Sequence, residues 1–241
     1  MKDTLYTHDS KISGKFNFDE DTVRVFDDML RRSVPHYHEI QDMICAIAKN
    51  FAQRNSNIYD LGCSTGTTLL KISTALRRFP VRVIGIDSSK AMLKKANRKL
   101  QKSGCATTCT LVEKDLNYKI NFENASVIIS NLTLQFIKPI NRENLVSEIY
   151  KGINKNGAFI LIEKVISENQ KIKRTFINLY HDFKLRKGYS KSEIFRKKEA
   201  LENILIPYTH EEHVRLLKKS GFRLMDVFFR WYNFCGILAI K

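Results

Sequence analysis

The residues best suited to chemistry lie in one short segment, from Asn57 to Gly66, where apolar residues give way to an acid, glycines and small polar residues. Ile58 and its apolar neighbours favour a buried strand. Gly62 permits a sharp turn that brings a ligand close to the backbone. A helix beginning at Thr65 would point free N–H groups and its positive dipole end at that turn. The segment therefore predicts a binding site for a nucleoside ligand that carries a carboxylate or a phosphate.

The spacing of Asp60, Gly62 and Gly66 narrows the choice of ligand. It differs from the G-x-G-x-x-G pattern of dinucleotide folds and from the lysine-bearing loop of nucleotide triphosphatases. This spacing favours the glycine-rich loop of enzymes that use S-adenosylmethionine (SAM). Taken alone, an ordinary glycine turn between any strand and helix explains the segment equally well.

Polar residues at the ends of three later strands strengthen the prediction. Asp87 ends the second apolar strand, where an acid accepts hydrogen bonds from ribose hydroxyls. Asp115 follows the third strand, at a place where SAM enzymes often meet the adenine amino group, and Asn131 follows the fourth. Singly, Asp87 could be a helix N-cap and Asp115 a turn residue. In this order and register they predict a crevice at the carboxyl ends of a doubly wound sheet.

The order of elements predicts an α/β protein with a Rossmann-like fold and a mainly parallel sheet. The 241 residues fit one domain. Two helices over about 19–52 precede the first strand, and an antiparallel strand ends the chain. Helices over about 167–203 form an insertion after the fifth strand. We expect this insertion to cover the crevice as a lid or as a dimer surface.

Composition predicts a soluble, cytoplasmic protein. No apolar run is long enough to span a bilayer, and residues 1–6 lack the apolar region of a signal peptide. The five cysteines are scattered, and the Cys105–Cys109 spacing has no second pair, so we expect reduced thiols and no metal.

The formal net charge of +16 has two interpretations. A nucleic-acid partner is one. The other, which we favour, is a generally lysine-rich composition, because the basic residues are spread along the chain without a recognisable RNA-binding motif. The same positive field would attract a small anionic substrate.

Several longer segments are far more discriminating than the glycine loop, and through them the chain resembles the carboxy-S-adenosyl-L-methionine (carboxy-SAM) synthases. This bacterial family is related to the class I SAM methyltransferases, and the similarity runs along nearly the whole chain. The segments that carry it are Asp3-Thr4-Leu5-Tyr6, Arg32-Ser33-Val34-Pro35-x-Tyr37, Tyr59-Asp60-Leu61-Gly62-Cys63-Ser64, Asn131-Leu132-Thr133-Leu134-Gln135-Phe136, His181-Asp182-Phe183-Lys184, Gly188-Tyr189-Ser190 and Leu201-Glu202-Asn203.

The resemblance implies a reaction. SAM and prephenate would give carboxy-SAM and phenylpyruvate, for the 5-oxyacetyl modification of wobble uridine in tRNA. Prephenate would lose carbon dioxide and hydroxide, and the SAM methyl group would lose a proton and capture the carbon dioxide. The enzyme would supply no strong base. It would hold the reactants together, exclude water and place a cation near the new carboxylate.

The resemblance also implies ligand contacts and a homodimer. A basic residue from the partner subunit would hold the added carboxylate. The implied SAM contacts are Tyr37, Gly62, Cys63, Ser64, Asp87, Ser88, Asp115, Leu116 and Asn131.

Two positions depart from the family pattern. Lys198 stands where the family has arginine, and it offers a carboxylate a point charge instead of a planar fork. Arg196, about one helical turn away, is the second candidate for this catalytic cation. Ser88 replaces an expected asparagine, and both side chains can hydrogen-bond to adenosine.

Two other functions compete with this prediction. An ordinary SAM methyltransferase acting on RNA or on a small molecule fits the fold and the loop equally well. A non-catalytic RNA-binding protein fits the charge, but it would not need Asp87 and Asp115. Direct tRNA binding is compatible with the predicted reaction and is not required by it. We interpret His181 and Asp182 as a structural pair on a helix surface.

Overall fold

The structure is a computed structural model that describes residues 1–7, 16–105 and 109–241. Its helices, in chain order, are α1 (Glu20–Ser33), α2 (Tyr37–Phe51), α3 (Thr67–Ala75), α4 (Lys90–Lys102), α5 (Pro139–Gly152), α6 (Gln170–Arg186), α7 (Lys191–Ala200) and α8 (His210–Ser220). Its strands are β1 (Ser56–Leu61), β2 (Val81–Asp87), β3 (Cys109–Glu113), β4 (Ala125–Asn131), β5 (Ile153–Ile166), β6 (Tyr208–Thr209), β7 (Leu224–Trp231) and β8 (Phe234–Ile240).

The strands form one sheet in the order β3-β2-β1-β4-β5-β8-β7, with β6 paired to β5. Strands β1 to β5 pair in parallel, whereas β8 runs antiparallel to both β5 and β7. The chain order reverses between β1 and β4, which is the switch point where open α/β sheets bind ligands. The predicted α/β class, with a mainly parallel sheet and an antiparallel end, is confirmed.

Apolar residues cover both faces of the sheet. Tyr59 and Leu61 of β1 belong to one buried cluster, which includes residues from α5 and α8. Ile58, on the opposite face of the same strand, belongs to a second cluster, which includes residues from α2 and α3. Layers of helices on both sides explain why the central strands are apolar throughout.

Several boundaries differ from the prediction. The helix after the glycine loop begins at Thr67 instead of Thr65, because Gly66 adopts a left-handed conformation with φ of 76°. Strand β5 begins at Ile153 and includes Asn154 to Gly157, whose residue types are typical of a turn. The last helix of the insertion ends at Ala200.

The insertion and the N-terminal helices lie where they can enclose the crevice. Helices α1 and α2 precede β1, and α6 and α7 follow β5. Of the helices in the described residues, none is long and apolar enough to span a membrane.

Candidate active site

A cavity of about 820 Å³ opens at the carboxyl ends of the parallel strands. Its volume falls within the roughly 300–1,000 Å³ that is usual for small-molecule sites. Helices α1, α2, α6 and α7 contribute to its wall. The predicted SAM contacts that line it are Tyr37, Gly62, Cys63, Ser64, Asp87, Ser88, Asp115, Leu116 and Asn131.

The glycine loop is held tightly against the neighbouring strands. Gly62 has φ of 66°, and a Cβ atom there would lie 2.4 Å from Thr133 Oγ1. The N–H groups of Gly62 and Cys63 both donate to the Ile86 carbonyl, at 2.8 and 3.0 Å. The Thr133 hydroxyl donates to the Leu61 carbonyl at 2.8 Å. Only glycine fits at position 62, so the backbone there stays open to a ligand.

Asp87 links the glycine loop to α4. Its Oδ2 accepts from the Ser64 N–H and its Oδ1 from the Ser89 N–H, both at 2.9 Å. Ser89, not Asp87, is the N-cap of α4. Burial raises the pKa of Asp87, and the N–H donors oppose that effect. Each carboxylate oxygen keeps a lone pair for a second donor, such as a ribose hydroxyl.

Asp60 and Asn131 carry buried oxygens that have no hydrogen-bond partner among the described residues. These atoms are Asp60 Oδ2 and Asn131 Oδ1, and both residues line the cavity. Burial, and then the nearby Asp87, raises the pKa of Asp60 to about 8. Orphaned buried acceptors are costly, so they indicate a ligand that brings donors. SAM fits, because its ammonium, ribose and adenine groups all donate. In the sequence, Asp60 is distinguished only by its place in the spacing of the glycine loop.

The other predicted contacts differ in character. Asp115 Oδ1 already accepts from the backbone and side-chain nitrogens of Asn117, at 2.8 and 2.9 Å. Leu116 is buried and gives the cavity an apolar surface. Tyr37 is buried at the start of α2, and burial raises its pKa to about 12. Burial also raises the pKa of the Cys63 thiol, so this cysteine is not poised as a nucleophile.

A buried acid and a buried arginine hold the segment after β4 in place. Glu163 accepts from the Leu134 and Gln135 N–H groups, at 2.8 and 2.9 Å. Arg142 is fully buried and donates to the carbonyls of Gln135, Ile137 and Ile206. This bracing fixes the wall of the cavity that follows Asn131.

Five lysines line the cavity, and only Lys198 among them was predicted as a site residue: Lys114, Lys164, Lys184, Lys197 and Lys198. Burial and neighbouring lysines lower the pKa of Lys184 to about 7 and that of Lys164 to about 8. Burial lowers the pKa of Lys197 to about 8, although Asp3 opposes the effect. Lys164 could have been noticed as a charge within the apolar run of β5. The position of Lys184 follows only from the packing of α6.

His181 also lines the cavity and is half-buried. Burial, and then Lys184 and Lys164, lower its pKa, so the imidazole is neutral at neutral pH. Asp182 beside it is exposed. The interpretation of these two residues as a surface pair therefore fits Asp182 but misses the position of His181.

The two candidates for the catalytic cation lie in different places. Lys198 is exposed and lines the cavity. Arg196 is absent from the lining, and its Nη1 donates to the carbonyls of Tyr6 and Thr7, at 3.2 and 2.8 Å. Lys198 is the candidate that the fold brings to the cavity.

A polar cluster around Asp3 joins three of the segments behind the family resemblance. The Tyr189 hydroxyl donates to Asp3 Oδ2 at 2.5 Å, and Lys197 Nζ lies 3.8 Å from the same oxygen. Lys197 also donates to Ser33 Oγ at 3.1 Å. Arg32 donates to the Asp3 and Gly188 carbonyls and lies over the Tyr189 ring. We call these residues the Asp3 cluster; it ties the N-terminus and α1 to α7.

Among the described residues, no group of three or more histidine, cysteine or acidic side chains could hold a metal ion. The fold and the glycine loop are those of the class I SAM-dependent methyltransferases. A family model described as a methyltransferase domain matches residues 58–157. An O-methyltransferase family 2 protein from Planctomyces limnophilus has the same fold, with a TM-score of 0.63, 17% identity, and coverage of 92% of this chain and 61% of that chain.

Full-length relatives define the family within that class. A protein from Methylococcus capsulatus named carboxy-S-adenosyl-L-methionine synthase is 45% identical over 100% of this chain and 99% of its own length. A protein of the same name from Salmonella paratyphi C is 38% identical over 100% of this chain and 97% of its own. The chain belongs to the carboxy-S-adenosyl-L-methionine synthase family.

Proposed function

We propose that this protein converts SAM and prephenate into carboxy-SAM and phenylpyruvate. One observation supports this best: the cavity joins an acid- and amide-lined region, suited to SAM, to a region lined by lysines. A methyltransferase has no use for cations beside the transferred methyl group, because no carboxylate forms there. A carboxyl-forming enzyme gains from them, since they stabilise the product charge.

In the SAM region, each predicted contact has a role that its chemistry supports. Asp87 would hold the ribose hydroxyls and Asp115 the adenine amino group. Leu116 would pack against the adenine ring, and Tyr37 would cover the ligand. The backbone of Gly62, Cys63 and Ser64, together with Ser88 and Asn131, would complete the contacts. The orphaned Oδ2 of Asp60 would accept from the SAM ammonium group.

The other requirement of the reaction is that the protein holds the reactants in contact and excludes water. Prephenate supplies both the carbon dioxide and the hydroxide that removes a methyl proton, so no protein base is required. The half-buried wall formed by α6 and α7 would exclude bulk water, which strengthens every charge interaction inside. The lowered pKa of His181 makes its imidazole a far weaker base than hydroxide, so it would not compete for that proton.

We assign the cation beside the new carboxylate to Lys198, in place of the family arginine. The family resemblance implies that the partner subunit of a homodimer supplies this cation. Lys198 lines the cavity of its own subunit, and we propose that in the dimer it also reaches the partner's site. We also propose that the product serves 5-oxyacetyl modification of wobble uridine in tRNA, in the cytoplasm. Buried free thiols at Cys45, Cys63 and Cys235 support a reducing compartment.

Product mass in single-site variants tests the assignment of the cation. The Lys198→Ala variant, given SAM and prephenate, should form carboxy-SAM at least tenfold more slowly than the wild type. The matched Arg196→Ala variant should retain more activity, because its side chain holds backbone carbonyls outside the cavity. Full carboxy-SAM formation in both variants would refute the role of this cation. Methylation of RNA, without carboxy-SAM formation by the wild type, would favour the methyltransferase alternative.

A further inference from the structure

The carboxyl ends of the parallel strands place acids and lysines in different parts of the cavity. Following the sheet order, Lys114 and Asp115 follow β3, Asp87 ends β2 and Asp60 lies in β1. Asn131 then ends β4, and Lys164 lies in β5. Because β5 is two strands away from β1, Lys164 lies beyond the region predicted for SAM. A second, cationic region therefore lies beside the acid-lined region predicted for SAM.

Lys164 and Lys184 form the core of that region. Their Nζ atoms lie 5.1 and 4.5 Å from the centre of the Tyr180 ring. The Tyr180 hydroxyl donates to the Ser33 carbonyl at 2.9 Å, and its ring packs on Trp231 and Phe234, so the ring is fixed in place. Two ammonium groups on one rigid ring form a preorganised anion site.

Neither ammonium group has an acidic partner among the described residues. Only burial and other lysines act on the pKa of Lys164 and Lys184, and no carboxylate raises either value. By contrast, Lys197 pairs with Asp3. The acids of α7 and its C-terminal end that line the cavity, Glu199 and Glu202, are exposed. Uncompensated cations in a half-buried wall are costly, so their presence indicates a ligand that is an anion.

The chemistry of the proposed reaction decides which anionic group the lysines hold. Prephenate has two carboxylates. The ring carboxylate leaves as neutral carbon dioxide when its C–C bond breaks; that electron pair makes the ring aromatic, and hydroxide departs. A cation paired with this carboxylate would stabilise the reactant more than the transition state, and would slow the step. The 2-oxo acid carboxylate keeps its charge throughout the reaction, so a cation paired with it does not slow the loss of carbon dioxide.

We propose that Lys164 and Lys184 clamp the 2-oxo acid carboxylate that prephenate and phenylpyruvate share. This inference rests on the proposed function, and it divides the cavity cations into two groups. Lys164 and Lys184 bind and orient the substrate through the carboxylate that survives. Lys198 faces the carboxylate that is newly made. Neither lysine of the clamp then opposes the loss of carbon dioxide.

Binding of phenylpyruvate to the protein saturated with S-adenosylhomocysteine tests the clamp without turnover. In calorimetry, Lys164→Met and Lys184→Met should each weaken phenylpyruvate binding by about tenfold to a hundredfold. Binding of S-adenosylhomocysteine should change less than twofold, which also shows that each variant is folded. Lys171→Met, an exposed lysine on the same helix α6, is the matched control and should bind phenylpyruvate as the wild type does. Phenylacetone, which lacks the carboxylate, should bind poorly to every variant.

The outcomes separate the clamp from the proposed function. Unchanged phenylpyruvate affinity in both lysine variants would overturn the clamp, even if the wild type makes carboxy-SAM. An unchanged KM for prephenate in both variants would overturn it as well. If phenylpyruvate binding depends on both lysines but the wild type makes no carboxy-SAM from prephenate, the clamp stands and the proposed function fails.

Discussion

Asp87 lines the cavity and is held in place by the backbone around it. Each of its two carboxylate oxygens accepts one hydrogen bond, from the N–H groups of Ser64 and Ser89. A carboxylate that is fixed by two backbone donors presents its remaining lone pairs in a constant direction. Such an acceptor suits a rigid diol, and it loses little entropy when the ligand arrives.

Replacing Asp87 with alanine should therefore weaken binding of S-adenosylhomocysteine. Loss of a charge-assisted pair of hydrogen bonds costs about 2–3 kcal/mol, which is a tenfold to hundredfold increase in Kd. Calorimetry measures the change, with Asp182→Ala, an exposed acid, as the control. Unchanged affinity in Asp87→Ala would remove this residue from the ligand site.

We expect Asp60 to make the binding of SAM and its analogues depend on pH. Burial and Asp87 raise its pKa to about 8 in the free protein, so it is mostly protonated at pH 7. A ligand ammonium group favours the ionised form and lowers this pKa. Affinity for S-adenosylhomocysteine should therefore fall as pH drops below about 8, by up to about tenfold per pH unit. Asp60→Asn should remove this slope, and calorimetry from about pH 6 to 9 would reveal it. Identical slopes in the two proteins would contradict the assignment.

The sequence predicted the acids at strand ends because strand order alone brings them to one edge of the sheet. The sequence could not predict that Lys184 lines the cavity, because α6 carries charged residues on more than one face and a lysine there could point either to solvent or to the cavity. Only the packing of Tyr180 and Phe183 of α6 against Trp231 of β7 turns that side chain towards the cavity. The locations of the predicted SAM contacts follow from the fold, whereas their roles remain predictions.

The helices and strands themselves were predictable where a cap or a period marked them. Asp19 caps α1 and Thr209 closes a capping box on α8, both as their residue types indicate. The start of α3 was not predictable, because Gly66 adopts a left-handed conformation and the helix begins only at Thr67. The length of β5 was not predictable either. The residue types from Asn154 to Gly157 are typical of a turn, but this segment belongs to the strand.

The Asp3 cluster joins elements that are distant in sequence, so its effect is on how α7 is held. In Tyr189→Phe, Asp3 loses its buried hydroxyl donor. The free energy of unfolding should fall by about 1–2 kcal/mol, and carboxy-SAM formation should slow because α7 carries Lys198. Denaturant titration and steady-state kinetics measure the two effects, with the exposed Tyr232→Phe as control. Wild-type stability in Tyr189→Phe would show that the cluster does not brace this helix.

At the scale of the whole molecule, the formal net charge is +16, whereas the cavity wall carries five lysines and five acidic residues. The excess positive charge therefore lies outside the cavity wall, and its field attracts anionic substrates. This excess stays open to the tRNA interpretation.

We expect a homodimer, because the insertion exposes apolar side chains next to the cavity. Ile172 of α6 is 44% exposed and Phe195 of α7 is 58% exposed. Such residues are suited to a protein interface. Sedimentation at micromolar concentration should show a dimer, and a strict monomer with full activity would contradict a shared site.

The most direct measurement of the central claim follows a heavy-carbon label from prephenate. The protein is incubated with SAM and with prephenate labelled in its ring carboxylate, and the nucleoside products are analysed by mass spectrometry. We predict carboxy-SAM, heavier than SAM by one carbon dioxide, with the label in the added carboxyl group and phenylpyruvate unlabelled. Absence of carboxy-SAM, or carboxy-SAM without the label, would contradict the proposed reaction.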